Sequence, residues 1–360
     1  MIEETPASPS QSTEKISKRS RFYGAFWGMH IGDSLGIATH GYYNREQLRR
    51  DYGRITHYVK PQLVHPESIL YKIPADRFHP AADVRGAKAP MWGRRETHYH
   101  HGLEAVDNSL SVLMAREMFE TLAINHGFDA DRFRRRAEEL LLTPGRHNDL
   151  LVPDPWRVYC VGKGQGKPPA ERAGLSESLA GMVWVLPVIL YYIGRPEIRE
   201  KVSEAVAVTQ ISPVMESVAM LLVDVFEALF AGVSLANAVQ AEVDRGHPLL
   251  GKPIVQWATE KISDEKIASY ELRCASISAH ALPMSLFLSM KYAPAVESAL
   301  LANANLGGAT CYRGAVVGAL MGAALGCESL PGELASQLRD FSKCDTLCDA
   351  AWASASAANR

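Results

Sequence analysis

The sequence has no excess of charge of either sign, no disulfide framework and no apolar run long enough for a membrane helix. Lys plus Arg number 38 and Asp plus Glu 40 in 360 residues, so the formal net charge is -2. This balance argues against the basic face that a phosphate-tracking nucleic-acid binder needs. Six cysteines without a CxxC pair do not make a disulfide scaffold, and they indicate a reducing compartment.

The first residues do not have the apolar pattern of a secretory leader, so we expect none. Residues 1–19 are polar and rich in Ser, Thr and Pro, so we expect a mobile tail over 1–19 and a single domain over 20–360. The longest apolar run, Leu179 to Gly194, is shorter than the ~20 residues of a membrane helix and contains Pro187. It predicts a buried core helix. We therefore expect a soluble cytoplasmic protein that acts on a small molecule, with no nucleic-acid or membrane partner; its oligomeric state stays open.

Helical periodicity dominates, and alternating strand patterns are scarce. Apolar residues at spacings of three and four predict helices over 108–123, 197–209, 214–231, 234–244, 254–262, 264–281, 293–303 and 313–326. Two Pro/Gly-rich stretches, 71–95 and 161–174, predict long loops of the kind that often carry function. Gly314, Gly318, Gly322 and Gly326 recur at four-residue steps, which predicts a central helix that packs closely against a neighbouring backbone.

Three polar clusters interrupt the otherwise apolar, helix-like sequence. They are GMHIGDSLGIATHGYYN (28–44), WGRRETHYHHGLEAVDNS (92–109) and NANLGGATCYRG (303–314). The second and third end at predicted helix starts, where unpaired N–H groups and the positive end of the helix dipole favour an anionic or hydroxyl-rich ligand.

Each candidate in these clusters has a structural alternative. Asp33 either serves the site or caps a turn. His98, His100 and His101 lack the helical spacing and the distal partner of a zinc site, so we interpret them as pocket-lining and loop-holding residues. Cys311 is either a nucleophile at a helix start or a small buried apolar residue.

Together the clusters resemble the ADP-ribosylglycohydrolase superfamily, which includes dinitrogenase-reductase-activating glycohydrolase and ADP-ribosylhydrolase-like proteins. GAFWGMHIGDSLG, AVDNSLSVLMA and NANLGGATCYRGAVVGALMGAALG match it in order and spacing over about 20–326. HGYYN and THYHHGLEA resemble one branch of that family. The resemblance implies an all-α fold, a compact orthogonal multi-helix bundle with a central cleft.

The departures concern the two magnesium ions that typical members hold. Where those members carry Thr-Asp-Asp-Thr, this chain has Val106-Asp107-Asn108-Ser109. Where they carry Gly-Gly-Asp-x-Asp-Thr, it has Gly307-Gly308-Ala309-Thr310-Cys311-Tyr312. Hard divalent cations need several anionic oxygen ligands. We therefore predict a degraded metal site with no metal ligand and no cofactor.

Without metal, proton transfer falls to histidine, which titrates near neutral pH. We predict His40 as the general base, oriented or balanced by Asp107. The predicted substrate-binding residues are Asp33, Tyr42, Tyr43, Trp92, His98, His100, His101, Glu104, Asn108, Asn305, Cys311, Tyr312 and Arg313, the last holding a carboxylate or phosphate or forming a salt bridge.

The family default is hydrolysis of a glycosidic bond. Two alternatives stay open: a repurposed metal-independent lyase, isomerase or cyclase of specialised metabolism, and a non-catalytic ligand-binding relative.

Overall fold

The structure, a computed structural model, describes residues 16–358 as an assembly of helices. The α-helices are α1 Lys18–Gly36, α2 Arg45–Tyr52, α3 Ala89–Trp92, α4 Leu110–Asn125, α5 Ala130–Leu142, α6 Asp154–Gly164, α7 Ala180–Tyr192, α8 Ile198–Ala207, α9 Pro213–Phe230, α10 Leu235–Asp244, α11 Ile254–Thr259, α12 Asp264–Lys266, α13 Ser278–Tyr292, α14 Val296–Leu306, α15 Thr310–Leu325, α16 Gly332–Gln337 and α17 Phe341–Ala357.

Short helical turns fill much of the remaining chain. The 3₁₀ turns are Leu70–Lys72, Ala75–Arg77, Pro80–Ala82, Gly86–Lys88, Pro169–Glu171, Pro248–Leu250 and Cys327–Ser329, and Ile267–Glu271 is a π-helical turn. Over residues 16–358 only isolated β-bridges occur, such as Val64 with Thr97, and no strand forms. The prediction of an all-α fold is confirmed.

Helices α1 and α15 form the centre of the molecule and touch backbone to backbone. The glycines that recur at four-residue steps along α15 form a stripe. It faces a second glycine stripe on α1, formed by Gly24, Gly28, Gly32 and Gly36. A Cβ on Gly28 would lie 2.1 Å from the carbonyl oxygen of Gly318, a distance that real Cβ atoms do not show. Glycine is required here for close approach, and the approach brings the ends of both helices, which carry the polar clusters, together.

The longest apolar run forms α7, and every residue of that helix is buried, including Pro187. It packs against α4, α8 and α9. The prediction of a buried core helix is therefore confirmed. No helix within residues 16–358 is both long and apolar enough to cross a membrane.

The helices predicted from periodicity form near their predicted positions, with one exception. The segment 264–281 is not one helix, because α12 and the π turn end at Glu271 and α13 begins only at Ser278. The intervening carbonyls are used elsewhere: Cys274 O accepts the N–H of Ala309 (2.8 Å) and Ser276 O accepts that of Leu179 (2.7 Å). Tertiary hydrogen bonds to the starts of α15 and α7 thus replace helical ones.

The two predicted loops are partly helical. The first residues of 161–174 belong to α6, which ends at Gly164, and 71–95 winds through 3₁₀ turns and α3. At the amino end, α1 begins at Lys18, close to the predicted domain start at 20. Residues 1–15 of the predicted tail lie outside the described residues.

Candidate active site

The start of α15 is shaped by two glycines, and a residue with a side chain could not take the place of either. Gly307 and Gly308 both have positive φ, 72° and 74°. A Cβ on Gly307 would lie 2.1 Å from Tyr42 O, and one on Gly308 would lie 2.0 Å from Cys274 O. This tight passage from α14 to α15 sets Cys311 at the second position of α15, beside the turn that follows α1.

His40 lies in that turn and faces Cys311. The backbone N–H of Cys311 is 3.4 Å from His40 Nδ1, so Nδ1 is the accepting nitrogen and the ring proton belongs on Nε2. The edges of Tyr312 and Tyr99 flank the imidazole, with ring centroids 5.0 and 5.9 Å away. Only 6% of His40 is exposed, against 1% of His100 and none of Cys311, so the group is almost entirely enclosed.

His100 completes the group and is backed by a carboxylate. Its Nδ1 donates to Asp149 Oδ1 at 2.9 Å, which leaves Nε2 as the acceptor. Nε2 is 3.3 Å from the sulfur of Cys311, and the rings of His100 and His40 meet edge to face at 4.8 Å. The chain of contacts Asp149–His100–Cys311 is completely buried.

Burial governs the proton affinities of this group. It lowers the pKa of His40 well below its ordinary value, and the neighbouring His100 and His98 act in the same direction. Burial raises the pKa of the Cys311 thiol well above its ordinary value, reinforced by the carboxylates of Asp33 and Asp149. Burial alone would also raise the pKa of Asp149, but His100 and backbone N–H groups outweigh it and lower that pKa.

Two buried carboxylates from distant segments hold the start of α4. Asp33 lies inside α1 and accepts the Ser109 N–H (2.7 Å) and hydroxyl (2.6 Å), while Asp149 accepts the Leu110 N–H (2.8 Å). Burial raises the pKa of Asp33 to about 6 against these bonds. Of the two interpretations of Asp33, the structure shows a capping role, but the cap serves α4 and not a local turn.

Asp107 does not join His40. Its carboxylate accepts hydrogen bonds from the Arg339 guanidinium and from the Glu104 N–H (2.8 Å). Together with Asn108 and Arg339 it lines a separate cavity of about 390 Å³. The predicted pairing of His40 with Asp107 therefore does not form, because α4 begins beyond Asp107 and leaves its side chain on the arginine-lined face.

The residues at the magnesium-binding positions of the family do not fit two magnesium ions. The one carboxylate kept at these positions, Asp107, accepts from the cationic guanidinium of Arg339, and the Asn108 side-chain oxygen accepts from that of Arg116. Both oxygens of the nearby Asp33 are occupied by Ser109 and Asn108. A hard dication needs free anionic oxygens and is repelled by a fixed cation. No mechanistic step can therefore run through a magnesium pair here.

Arg313 is fully buried at the start of α15. Its guanidinium donates to Asn303 Oδ1 (2.6 Å) and to the carbonyls of Asn303 and Gly307. It forms no ion pair with a carboxylate of residues 16–358, and its Nη1 has no hydrogen-bond partner there. The salt-bridge alternative is therefore not found, and one donor of a buried cation stays unsatisfied.

Of the remaining predicted site residues, His98 lies beside the cluster, with its ring 6.3 Å from that of His100, while the others bond or pack elsewhere. His98 Nε2 bonds Ala38 O at 3.0 Å, Glu104 pairs with Lys60 at the surface, and Trp92 packs edge-on against Phe78. The others take structural or peripheral places: Tyr42 donates to Asp51, Tyr43 is half exposed, Asn305 bonds Ile55, and His101 is partly buried with Nδ1 unbonded among the described residues.

Sequence reasoning missed Asp149 and His65. Asp149 lies in the loop after α5, in the stretch HNDLL, which carries no motif. His65 holds the turn of His40, since its Nε2 is 3.1 Å from the His40 carbonyl oxygen. Both residues meet their partners across long stretches of chain, and no local pattern signals such contacts.

Fold and site together define an all-helical protein with a buried imidazole–thiol cluster between the ends of its two central helices. The family model for ADP-ribosylglycohydrolase matches residues 14–360. The chain therefore belongs to the ADP-ribosylglycohydrolase family. No curated protein matches it.

Solved structures share the fold. Among 47 matching chains is an ADP-ribosylglycohydrolase-related protein complex, similar at a TM-score of 0.63 with 16% sequence identity. The match covers 94% of this chain and 99% of the other. At this identity the similarity concerns the fold alone.

Proposed function

We propose that this protein hydrolyses a glycosidic bond of a small molecule by histidine-based proton transfer, without the magnesium ions of its family. The family supports glycohydrolase-like chemistry. One observation carries the histidine assignment: the rings of His100 and His40 meet at 4.8 Å, and their hydrogen bonds leave an accepting nitrogen on His100 and a protonated nitrogen on His40.

The hydrogen bonds give the two imidazoles different roles. Asp149 fixes the proton of His100 on Nδ1, so Nε2 accepts a proton from water as that water attacks the anomeric carbon. His40 donates a hydrogen bond from Nε2 to the leaving atom. The proton taken by His100 then passes to the leaving group as the glycosidic bond breaks. His40 is therefore the hydrogen-bond donor and His100 the general base, which revises the sequence-based prediction that His40 is the base.

In the structure the thiol of Cys311 is the hydrogen-bond partner of His100 Nε2, with the sulfur 3.3 Å from that nitrogen. A thiol is a weak donor, and a water or sugar hydroxyl forms the stronger hydrogen bond, so a bound substrate replaces it.

Arg313 favours a substrate with a negative group, because it adds an unpaired buried charge to the surroundings of His40. Six free cysteines support a reducing, cytoplasmic location.

The experiment measures release of ADP-ribose from N-linked and O-linked ADP-ribosyl compounds, with EDTA and with added Mg²⁺. His40→Ala should lower kcat by roughly 10²–10³, the range for loss of one hydrogen-bond donor to the charge that develops in the transition state. His57→Ala is the matched control, because His57 is exposed and bonds only its neighbour Thr56.

The outcomes separate the alternatives. Turnover in EDTA that is lost in His40→Ala supports the proposal. Binding of ADP-ribose by calorimetry without any turnover assigns a non-catalytic ligand-binding role instead. Absence of both binding and turnover rejects ADP-ribosyl substrates and favours the repurposed lyase, isomerase or cyclase.

A further inference from the structure

We propose that His40, His100 and Cys311 form a binding site for one zinc-class metal ion. One ligand atom from each of these residues lies within 4.8 Å of the other two, and all three side chains are buried. The residues come from three distant segments: the turn after α1, the loop before α4 and the second position of α15. The distal partners that the HYHH stretch lacks in sequence are thus supplied by the fold.

The separation of the donors fits a tetrahedral centre. Zn–S bonds of about 2.3 Å and Zn–N bonds of about 2.0–2.1 Å put sulfur and nitrogen about 3.5 Å apart at a tetrahedral angle. His100 Nε2 and Cys311 Sγ are 3.3 Å apart. These two groups therefore need only a small outward shift to bind one ion.

His100 has the hydrogen-bond partner that is typical of a metal-binding histidine. A ligating imidazole usually donates its other N–H to a carboxylate, which fixes its orientation. His100 Nδ1 donates to buried Asp149, and Asp149 is itself fixed by the N–H groups of Leu110 and Leu151. The accepting nitrogen of His100 is thereby held toward the sulfur.

Charge and donor type favour this ion over magnesium. A dication, the thiolate of Cys311 and the carboxylate of Asp149 sum to zero, so the buried group becomes neutral. Imidazole and thiolate suit zinc or copper, whereas magnesium prefers oxygen. Three protein ligands leave a fourth position open for water, and His40 is the member with residual exposure, at 6%.

The consequence for activity rests on the proposed function. The ion takes the lone pair of His100 Nε2 that would otherwise accept a proton. Zinc therefore inhibits the histidine-based reaction, and the metal-free protein is the active form. Metal binding itself is measured without any substrate, so the two proposals fail separately.

The test uses the full chain, freed of metal by chelator under reducing conditions and titrated with Co²⁺. We expect one equivalent to give a thiolate-to-cobalt charge-transfer band that Zn²⁺ abolishes by competition. Cys311→Ser should abolish the band. Cys160→Ser, a buried cysteine on α6 outside the cluster, should keep it. Asp149→Asn should weaken affinity 10–100-fold.

Circular dichroism first verifies that each variant is folded; should Cys311→Ser not fold, His40→Ala must show weakened Co²⁺ binding. A missing band, or one that persists in Cys311→Ser, overturns the site. A substrate fragment covalently attached to Cys311 in mass spectra during turnover overturns it too, because the thiol is then a nucleophile. Bound Zn²⁺ without loss of turnover overturns the inhibitory role.

Discussion

Asp149 joins the base of the candidate site to the start of a core helix. One of its oxygens accepts the Nδ1–H of His100 at 2.9 Å, and the other accepts the N–H of Leu110 at 2.8 Å. The carboxylate is completely buried, and its bonds keep its pKa below the ordinary value despite that burial. The position of the imidazole is thus tied to the packing of α4.

Asp149→Asn should reduce turnover by roughly 10²–10⁴ while the protein stays folded, because an amide can present a donor to Nδ1 and select the wrong tautomer of His100. The amide oxygen can still accept the Leu110 N–H, so the start of α4 keeps its cap. Steady-state kinetics and thermal unfolding of the same preparation measure the two effects. Wild-type kcat in a folded variant would remove Asp149 from the mechanism.

Metal removal should leave activity unchanged or increase it. The oxygens of Asp33 and Asn108 are already bonded to protein groups, so millimolar Mg²⁺ has no pair of sites to occupy. Initial rates are measured in EDTA, in Mg²⁺ and in Zn²⁺. A rate that vanishes in EDTA and returns with Mg²⁺ would contradict the histidine-based mechanism.

The sequence predicts most of the fold and the location of the site, but not its contacts. Periodicity locates α4, α9 and α10 because these helices bury one face. The glycine stripe of α15 signals close packing, and its partner, Gly24 to Gly36, has the same four-residue spacing within GAFWGMHIGDSLG.

Side-chain pairing could not be predicted, because it depends on direction and not on proximity in sequence. Asp107 and Ser109 are two residues apart, yet Asp107 contacts Arg339 while Ser109 contacts Asp33. The carboxylate that does support an imidazole, Asp149, is 49 residues from His100 in sequence. The groups meet because Asp149 bonds both His100 and the start of α4 in the folded chain.

Asp33 should make stability depend on pH. Burial raises its pKa to about 6 in the folded protein, against about 4 when unfolded. The stabilising contribution is therefore fully present below about pH 4 and is lost as the pH rises through 6, on the order of 3 kcal/mol in total. Asn at this position cannot ionise.

The free energy of unfolding in urea, measured for wild type and Asp33→Asn between pH 4 and 7.5, checks this. We expect the variant to gain stability relative to wild type as the pH rises, with the change centred between pH 4 and 6. A difference that stays constant across this range would show that Asp33 does not titrate as proposed. Other groups cancel in the comparison, because both proteins contain them.

Gly28→Ala should strongly destabilise the protein. The added Cβ would meet the carbonyl oxygen of Gly318 at 2.1 Å, and since this atom is backbone, α1 and α15 must move apart. Overpacking of this kind costs about 3 kcal/mol, so thermal unfolding of a chain of this length should shift down by roughly 4 °C. Gly332→Ala is the control, because nothing lies within 4 Å of its Cβ. If both variants unfold at the same temperature, the two glycine stripes do not set the distance between the central helices.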